Sequence, residues 1–336
     1  MTKQLDIAVI GSTTPIGEAL LEQLALRHFP IGNLIPLAFD EDTDTTVEFT
    51  DKHLHIQSIA SFNFSNVALV FLCQLDDSYQ AVVDRILDAG CRIIELGSNL
   101  QNAPVAVADI NTNDELLNQS LHTRSASGLA VVLSHLLAPV HNSKGIKALH
   151  FTALNSVSDR GKAGIDELAM QTTSLLNTRP IKPAVFKKQI AFNVMSDDSD
   201  INATGFTRLE WDIIDELKLV FLDNTESSVS IMPSFIHIPV FYGVSVDVHL
   251  ELTQAMDVAE FEQMISSNSN VELKSVDDLI TPVSHAAEMD KIFVNRVRQD
   301  LADPKRLNFW CVTDTIKSGS AINGVQIAEI LVKHHL

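Results

Sequence analysis

The sequence is poor in several residues that mark specialised proteins. Its three cysteines, Cys73, Cys91 and Cys311, lie far apart without CxxC spacing, which predicts buried free thiols rather than a zinc site or a disulfide framework. No apolar run reaches the roughly 18 residues of a membrane-spanning helix. The opening "MTKQLDIAVIG" predicts a strand and not a signal peptide. We therefore expect a cytoplasmic protein that does not enter a membrane.

Positive charge is also scarce. Lysine and arginine number 24 against 43 aspartates and glutamates, which gives a formal net charge of -19. Such a charge repels phosphate backbones and anionic membranes, so nucleic acid is not an expected partner. A multiply anionic substrate would need arginines placed locally. The chain of 336 residues exceeds the usual size of one hydrophobic core, and two domains are expected.

Strand and helix patterns alternate through the first hundred residues. Near-continuous apolar strands are separated by segments with helical spacing, which is typical of a parallel sheet covered on both faces. The predicted strands are "LDIAVIG", "LIPLAF", "VALVFLCQ" and "CRIIELG", and the predicted helices are "PIGEALLEQLALRH" and "SYQAVVDRILDAG". The pattern predicts an α/β, doubly wound, Rossmann-like N-terminal domain.

The pattern changes after Gly128. A helix carrying Leu129 to Leu137 is expected to end before Pro139, and an α+β domain should follow. Its predicted elements are the long strands "GIKALHFTALNSVS" and "SFIHIPVFYGVSVDVHLELT", helices at 161–176, 208–217 and 257–266, an exposed loop at 196–205, and a last amphipathic helix in "SGSAINGVQIAEILVKHHL". We place residues 1–127 with 318–336 in the first domain and 128–317 in the second.

A glycine-bounded loop joins the first strand to the first helix. In "IAVIGSTTPIGEALL" Gly11 makes the turn and Gly17 allows helix and strand to pack closely, as in dinucleotide folds. The middle glycine is absent, which leaves open a loop that binds no dinucleotide. Acids in "DEDTD" at 40–44 favour NAD over NADP if a cofactor binds; a solvated acidic loop is the alternative. The candidate cofactor-binding residues are Gly11, Thr13, Thr14, Pro15, Ile16 and Gly17.

Two smaller patterns have structural alternatives. His53 and His55 could form one side of a metal site, but no third ligand is evident, so we predict a surface strand and no metal. Thr207 and Glu210 have the spacing of a helix capping box.

Several stretches together resemble the aspartate-semialdehyde dehydrogenases. They occur in the family's order and span almost the whole chain: "AVIGSTTPIG", "PVAVADIN", "GKAGIDEL", "IAFNVM", "IHIPVFYG" and "SGSAINGVQIAEIL". The resemblance implies an N-terminal NADP domain, a C-terminal dimerisation domain, a homodimer and reduction of an aspartyl β-phosphate through a cysteine thioester.

The same resemblance implies that this site has lost its chemistry. The nucleophilic cysteine falls on Gly128, the histidine base on Val244 and the arginine that binds the substrate carboxylate on His237. The position of the family's arginine for the substrate phosphate falls on Gln101. The position of a family glutamine falls on Asn155, which is also polar. The positions of a cofactor arginine and a glutamate–lysine pair fall on Glu41, Leu209 and Asp212.

These losses are like those of the Usg-type paralogues of the family, which lack the catalytic cysteine. They predict a pseudoenzyme that does not catalyse the family reaction. It would act as a binding or regulatory homodimer, and a different chain could also serve as its partner. The alternative is an NAD(P)-dependent oxidoreductase of the semialdehyde dehydrogenase type with an altered substrate. By resemblance the cofactor would be NADP or NAD.

Overall fold

The computed structural model describes residues 4–39, 45–74, 79–96, 103–222, 229–287 and 289–334. In chain order the strands are β1 (Leu5–Ile10), β2 (Ile31–Ala38), β3 (Thr46–Phe49), β4 (Lys52–His55), β5 (Gln57–Ser58), β6 (Leu69–Leu72), β7 (Arg92–Glu95), β8 (Val105–Ala106), β9 (His122–Ser125), β10 (Ile146–Asn155), β11 (Met195–Ser196), β12 (Ser230–His237), β13 (Val244–Leu252), β14 (Val271–Leu273), β15 (Ile292–Gln299) and β16 (Arg306–Thr313). The helices are α1 (Pro15–Leu26), α2 (Tyr79–Asp88), α3 (Asp114–Gln119), α4 (Gly128–Lys144), α5 (Gly161–Leu176), α6 (Arg208–Leu217), α7 (Val258–Ile265), α8 (Pro282–His285) and α9 (Ile322–His334).

The chain divides into two compact units. The first contains Met1–Val131 with Gly319–Leu336, and the second contains Val132–Ser318. Helix α4 runs across the division near its start. None of the helices in the described ranges is long and apolar enough to span a membrane.

A seven-stranded parallel sheet forms the first unit, in the order β5-β2-β1-β6-β7-β9-β8. Leu24 of α1 and Val325 of α9 belong to the core cluster on one face of the sheet. Val83 of α2 belongs to the cluster on the other face. Because helices cover both faces, the central strands β1 and β6 are almost entirely apolar. The predicted doubly wound domain is confirmed. Strand β4 carries the exposed His53 and His55, which confirms the predicted surface strand. Its pairing with β3 in a hairpin and the short strands β8 and β9 were not predicted.

The second unit is built on a mixed sheet in the order β11-β12-β10-β13-β16-β15-β14. Strand β12 lies parallel to β10 and β14 parallel to β15, and the other pairs are antiparallel. This confirms the α+β domain. The predicted helices at 161–176 and 208–217 have these bounds in the structure, and the third runs from Val258 to Ile265. Thr207 and Glu210 form the expected capping box at the start of α6.

Three sequence predictions are wrong. Helix α4 does not end before Pro139 but continues to Lys144, because Leu136 and Val140 on either side of the proline are fully buried and hold the helix in the core. The segment 234–253 is two strands, since the chain turns back at 238–243, where Gly243 has a φ of +83°. The segment 196–205 is not wholly exposed, since Asp197 is buried.

Candidate functional site

The loop between β1 and α1 makes a tight turn. Gly11 has a φ of +80°, and a Cβ at this position would lie 2.4 Å from the Cβ of Gln74. A Cβ on Gly17 would lie 2.1 Å from the carbonyl oxygen of Gly11. Both contacts are too short for a side chain, so only glycine permits this turn at its two ends. The shape is the one that brings a helix N-terminus close to a ligand.

Thr14 occupies the centre of the loop and caps α1. Its hydroxyl accepts a hydrogen bond from the Gly17 N–H at 3.1 Å and donates one to the Gly11 carbonyl oxygen at 2.8 Å. Pro15, the first residue of the helix, has no N–H. Two of the N–H groups that a helix N-terminus offers to an anion are therefore not available here, since that of Gly17 is bonded to Thr14 and Pro15 has none. Thr13 is exposed beside them.

A cleft of about 410 Å³ lies in the first unit beside this loop, between α1 and β3. Ser12 and Thr13 line one part of it, and the carboxylates of Glu18, Glu22 and Glu48 line another. No lysine or arginine is among the described residues that line the cleft. The described lining residues therefore offer negatively charged carboxylates that can accept hydrogen bonds from hydroxyl groups. They offer no cation that could bind a phosphate.

These residues fit one dinucleotide better than the other. Carboxylates beside the loop can accept hydrogen bonds from ribose hydroxyls, as acids do in NAD sites, whereas a 2′-phosphate is normally met by arginine. The acceptors that line the cleft therefore suit free ribose hydroxyls better than a 2′-phosphate. The prediction also depended on the acids at 40–44, Glu41 among them, and on Gln101, and these positions lie outside the described residues.

Helix α4 begins at Gly128, the position that the resemblance assigns to the nucleophile. The backbone of Gly319 approaches it closely: a Cβ on Gly319 would lie 2.5 Å from the Gly128 carbonyl oxygen and 2.6 Å from its Cα. A helix N-terminus is a favourable place for a thiolate, because its dipole and amide groups stabilise negative charge. Here that place is occupied by a residue without a side chain.

Ser125 and the three cysteines have structural roles. The Ser125 hydroxyl is buried, donates to a backbone carbonyl oxygen at 2.9 Å and accepts a hydrogen bond from the amide nitrogen of Asn323 at 2.7 Å. All three cysteines are buried. Burial raises the pKa of Cys73 and Cys91, and that of Cys311 to about 12. Thiols of this kind are inert at neutral pH.

The structure brings three predicted site positions into one row of the second sheet. Asn155 at the end of β10 pairs with His237 at the end of β12 and, on its other side, with Val244 at the start of β13. Their side chains are at most 8% exposed. Residues that are far apart in sequence thus meet at one edge, where the resemblance placed a substrate site.

His237 faces acids in this row. Its Nε2 lies 3.3 Å from Asp197 and 3.8 Å from Asp198. Nη2 of Arg160 contacts the same two carboxylates at 3.4 and 2.7 Å. Nδ1 of His237 is buried without a hydrogen-bond partner, which favours the tautomer with its proton on Nε2. A substrate carboxylate at this ring would therefore meet two aspartates instead of the arginine that the resemblance implies at this position.

The network stabilises the charged form of Asp197. Burial acts to raise the pKa of its carboxyl, but hydrogen bonds from His237, Ser199 and Thr207 outweigh it and hold the pKa well below its usual range. Asp197, Asp198 and His237 could offer three metal-ligand atoms within 4.8 Å of one another. Arg160 contacts both carboxylates but supplies only one positive charge against the two, so the structure shows an ion-pair network here whose charges are not fully balanced by Arg160.

Asp197 and Asp198 were missed by sequence reasoning. They belong to "SDDSD", whose composition is typical of a surface loop. Their approach to His237 depends on the pairing of β11 with β12, in which Met195 lies opposite His237. A two-residue strand gives no periodic signal, so only the folded structure reveals this contact.

The fold and the two sites define a two-domain protein of the nicotinamide-dependent dehydrogenase class. Residues 6–119 match the family model "Semialdehyde dehydrogenase, NAD binding domain", and residues 137–317 match "Semialdehyde dehydrogenase, dimerisation domain". The chain belongs to the semialdehyde dehydrogenase family and carries its NAD-binding and dimerisation domains.

USG-1 protein homologs and aspartate-semialdehyde dehydrogenases are both similar to this chain over its full length. A USG-1 protein homolog of Pseudomonas aeruginosa is 34% identical over 340 residues, and aspartate-semialdehyde dehydrogenase 2 of Vibrio cholerae is 31% identical over 341 residues; each alignment covers 100% of both chains. The crystal structure of aspartate semialdehyde dehydrogenase II from Vibrio cholerae has a TM-score of 0.93 at 30% identity, covering 99% of this chain and 100% of that one. Overall identity does not distinguish the two kinds of relative, so activity must be argued from the site.

Proposed function

We propose that this protein is a homodimeric member of the family that does not catalyse NADPH-dependent reduction of L-aspartyl 4-phosphate and acts as a binding or regulatory protein. The observation that carries this proposal is Gly128 at the N-terminus of α4. The family reaction passes through a thioester, and a residue without a side chain forms no covalent intermediate. Ser125 and the buried cysteines supply no substitute.

The row Asn155–His237–Val244 supports the same conclusion. Valine holds no proton at the base position. His237 is turned towards Asp197, so it offers a substrate carboxylate neither a free cation nor the planar fork of an arginine. Loss of a nucleophile or base typically costs ~10⁴-fold to 10⁶-fold in turnover. With nucleophile, base and carboxylate site all replaced, we expect no measurable family reaction.

The first domain is proposed to keep a role in binding. Gly11, Thr13, Thr14, Pro15, Ile16 and Gly17 would hold the diphosphate of a dinucleotide, with the exposed loop and the start of α1 facing it. A nicotinamide cofactor, when bound, supplies or accepts a hydride. The chain would contribute position and charge to that ligand, and no group that forms an acyl-enzyme.

The assembly and its setting belong to the same proposal. The match of residues 137–317 to the dimerisation domain supports a homodimer, and a partner chain of the same fold could replace one copy. The net charge of -19 supports a protein that binds neither nucleic acid nor an anionic membrane. We place it in the cytoplasm and set the domain boundary at Gly128.

A second candidate function is supported by the intact turn at Gly11 and Gly17. Since that turn tolerates only glycine at its two ends, it keeps the geometry that a dinucleotide needs. An NAD(P)-dependent oxidoreductase acting on another, less anionic substrate would use this turn without a thioester. Reduction of a carbonyl substrate by NADH would support this alternative.

The test is an assay of the purified protein with aspartate semialdehyde, phosphate and NADP⁺ or NAD⁺, beside the Vibrio cholerae relative as positive control. We expect no nicotinamide reduction above a blank without protein. A Gly128→Cys variant should stay inactive, because Val244 and His237 are unchanged, although its thiol should react with iodoacetamide. Turnover by the unmodified chain, or an acyl adduct seen by mass spectrometry, would refute the proposal.

A further inference from the structure

A pocket of about 840 Å³ lies on the sheet of the second unit. The ends of β13, β15 and β16 and the loop between β15 and β16 form its walls, and His150 of β10 completes it. We call it the sheet pocket. It shares no lining residue with the cleft between α1 and β3 or with the row Asn155–His237–Val244. Its volume lies in the range of small-molecule sites, so the nature of its lining decides what it can bind.

One row of polar side chains forms the floor of the sheet pocket. His150, His249, Asn308 and Arg298 lie directly opposite one another on four neighbouring strands. Side chains at opposed positions have Cβ atoms about 4.5–5.5 Å apart, so the row is continuous. Met232 lies in the same row beyond His150. Because strands are spaced roughly 4.8 Å apart, Met232 is roughly 19 Å from Arg298, and the two ends of this face can serve different partners.

A β-bulge places Arg298 in this row. The register of β15 against β16 shifts between Asn295 and Arg298, and Arg296 within the bulge has a φ of +52°. Bulges re-aim side chains and are common beside functional sites, and a positive φ at a residue with a side chain is costly. The Arg298 Nη1 donates to the Arg296 carbonyl oxygen at 3.2 Å, but the guanidinium has no acidic partner among the described residues. The bulge therefore presents an uncompensated cation to the sheet pocket.

Two hydrogen-bond acceptors lie beside this cation. Asn308 is only 9% exposed; its amide nitrogen donates to Asp247 and to the Val248 carbonyl oxygen, both at 2.9 Å, whereas its Oδ1 is buried with no partner in the described structure. Such an acceptor is costly until a donor supplies the missing bond. Asp300 accepts two backbone N–H bonds of the following loop through Oδ1. These bonds lower the pKa of its carboxyl, so Asp300 stays ionised at neutral pH.

Other charged groups of the sheet pocket are already paired. Arg306 lies 3.3 Å from Glu251, and His249 Nε2 lies 3.0 Å from the Asp247 carboxylate. His150 differs, since its ring has no partner among the residues that the structure describes. A ligand therefore meets one uncompensated cation, two acceptors and one imidazole, which when neutral offers one donor and one acceptor.

We propose that the sheet pocket binds a free α-amino acid with an uncharged polar side chain. Arg298 pairs with its carboxylate, Asp300 and Asn308 accept hydrogen bonds from its ammonium group, and the His150 ring bonds to its side chain. A simple carboxylate would be repelled by Asp300 and a simple amine by Arg298, so a ligand that carries both charges is favoured. The inference rests on the proposed role as a binding or regulatory protein, for which it names the ligand class, and not on the loss of catalysis.

The experiment is isothermal titration of the full-length protein with L-serine, L-asparagine and L-glutamine in turn. At least one should bind saturably, with a dissociation constant below about 1 mM. Two analogues of the tightest binder test its two charged ends; for L-glutamine they are 4-aminobutanamide, which lacks the carboxylate, and glutaric acid monoamide, which lacks the amine. Each analogue should bind at least ten times more weakly. No saturable binding of the three amino acids, or an analogue that binds as tightly as its parent, would overturn the inference.

Variants locate the ligand in the sheet pocket. Arg298→Gln should weaken binding at least tenfold and remove the preference over the analogue without a carboxylate. Asp300→Asn keeps an oxygen for the loop N–H groups but loses the charge, so it should remove the preference over the analogue without an amine. The matched control Arg296→Gln removes an exposed guanidinium from the same bulge that does not line the pocket, and should leave the affinity unchanged. An equal loss in this control would contradict the assignment.

The two proposals fail separately in these measurements. Turnover with aspartate semialdehyde alongside amino-acid binding would remove the proposed loss of catalysis and leave the sheet pocket inference standing. Absence of both turnover and amino-acid binding would do the reverse. Thermal unfolding of every variant checks that a changed affinity does not come from a misfolded strand.

Discussion

At the scale of single residues, Asp197 combines a buried carboxylate with several charged and polar partners. Its carboxylate meets His237, Arg160 and Ser199 in a site from which solvent is excluded. Removing one partner from such a network leaves the others uncompensated, which typically costs about 3–5 kcal/mol. We expect Asp197→Ala to destabilise the second unit by that order, measured by urea unfolding. An exposed control, Asp166→Ala on α5, should change the free energy of unfolding by less than about 0.5 kcal/mol.

The pH dependence of this network follows from the lowered pKa of Asp197. In the unfolded chain the carboxyl titrates near 3.9, and in the folded protein it titrates lower. The folded state therefore gains stability from Asp197 that is fully present above about pH 5 and is lost as the pH falls through the unfolded pKa towards the folded value. Urea unfolding between pH 6 and pH 3 should show this loss, and Asp197→Asn should flatten the curve. A wild-type curve as flat as the variant's would contradict the assignment.

His141 near the end of α4 gives a pH dependence of the same sign as Asp197, but at a higher pH. Its Nδ1 accepts a hydrogen bond from the buried Ile146 N–H at 3.0 Å, and burial lowers its pKa. Below the ordinary histidine pKa of about 6.5 the unfolded chain binds a proton that the folded protein resists. Stability should therefore fall as the pH drops from 7 towards 5. His141→Gln should remove this slope in thermal unfolding, whereas the exposed His53→Gln should keep it.

The positions of the candidate site residues could be predicted from the sequence, but their contacts could not. Motif order located Asn155, His237 and Val244, and strand register then put them side by side. The hydrogen bond between His237 and Asp197 could not be predicted, because it joins residues 40 positions apart and depends on a two-residue strand. Similarly, Glu48 reaches the cleft only through a hairpin whose first strand has four residues.

At the scale of elements, α5 holds an irregular segment in place through one buried glutamate. Glu167 accepts hydrogen bonds from the backbone N–H groups of Ala184 and Val185 and from the side-chain amide of Gln171. Bonds to a charged acceptor are worth about 1.5–3 kcal/mol each. Glu167→Ala should cost at least about 3 kcal/mol and expose the segment after Leu176 to limited proteolysis. Glu167→Gln, which keeps one acceptor, should cost less.

The elements that sequence patterns predict well are those with local signals. Helix α6 has its capping box and an amphipathic face, so both of its ends follow from the chain itself. The end of helix α4 was predicted wrongly, because a proline is a local stop signal and tertiary packing around Pro139 overrides it. The turn at 238–243 was hidden within apolar residues that are typical of a strand, such as Phe241 and Tyr242. Local propensity decides an element only where packing does not oppose it.

At the scale of the whole molecule, the second sheet leaves one face partly uncovered. Met232 is 49% exposed on β12 and lies in register with His150 on β10, which is followed across the sheet by His249 and Asn308. A broad sheet face with an exposed methionine is a suitable surface for a second copy. The match of this region to the dimerisation domain supports that use.

Met232→Arg tests this surface. Two copies related by a two-fold axis would each place a charge in the contact, and a buried unpaired charge strongly opposes association. Sedimentation equilibrium at micromolar concentration should give twice the 36.9 kDa chain mass for the unmodified protein and mostly monomer for the variant. The control Leu26→Arg changes a side chain that is 62% exposed at the end of α1 and should remain dimeric. If both variants stay dimeric, the contact lies on another surface of the second unit; if the unmodified chain is monomeric, the homodimer is refuted.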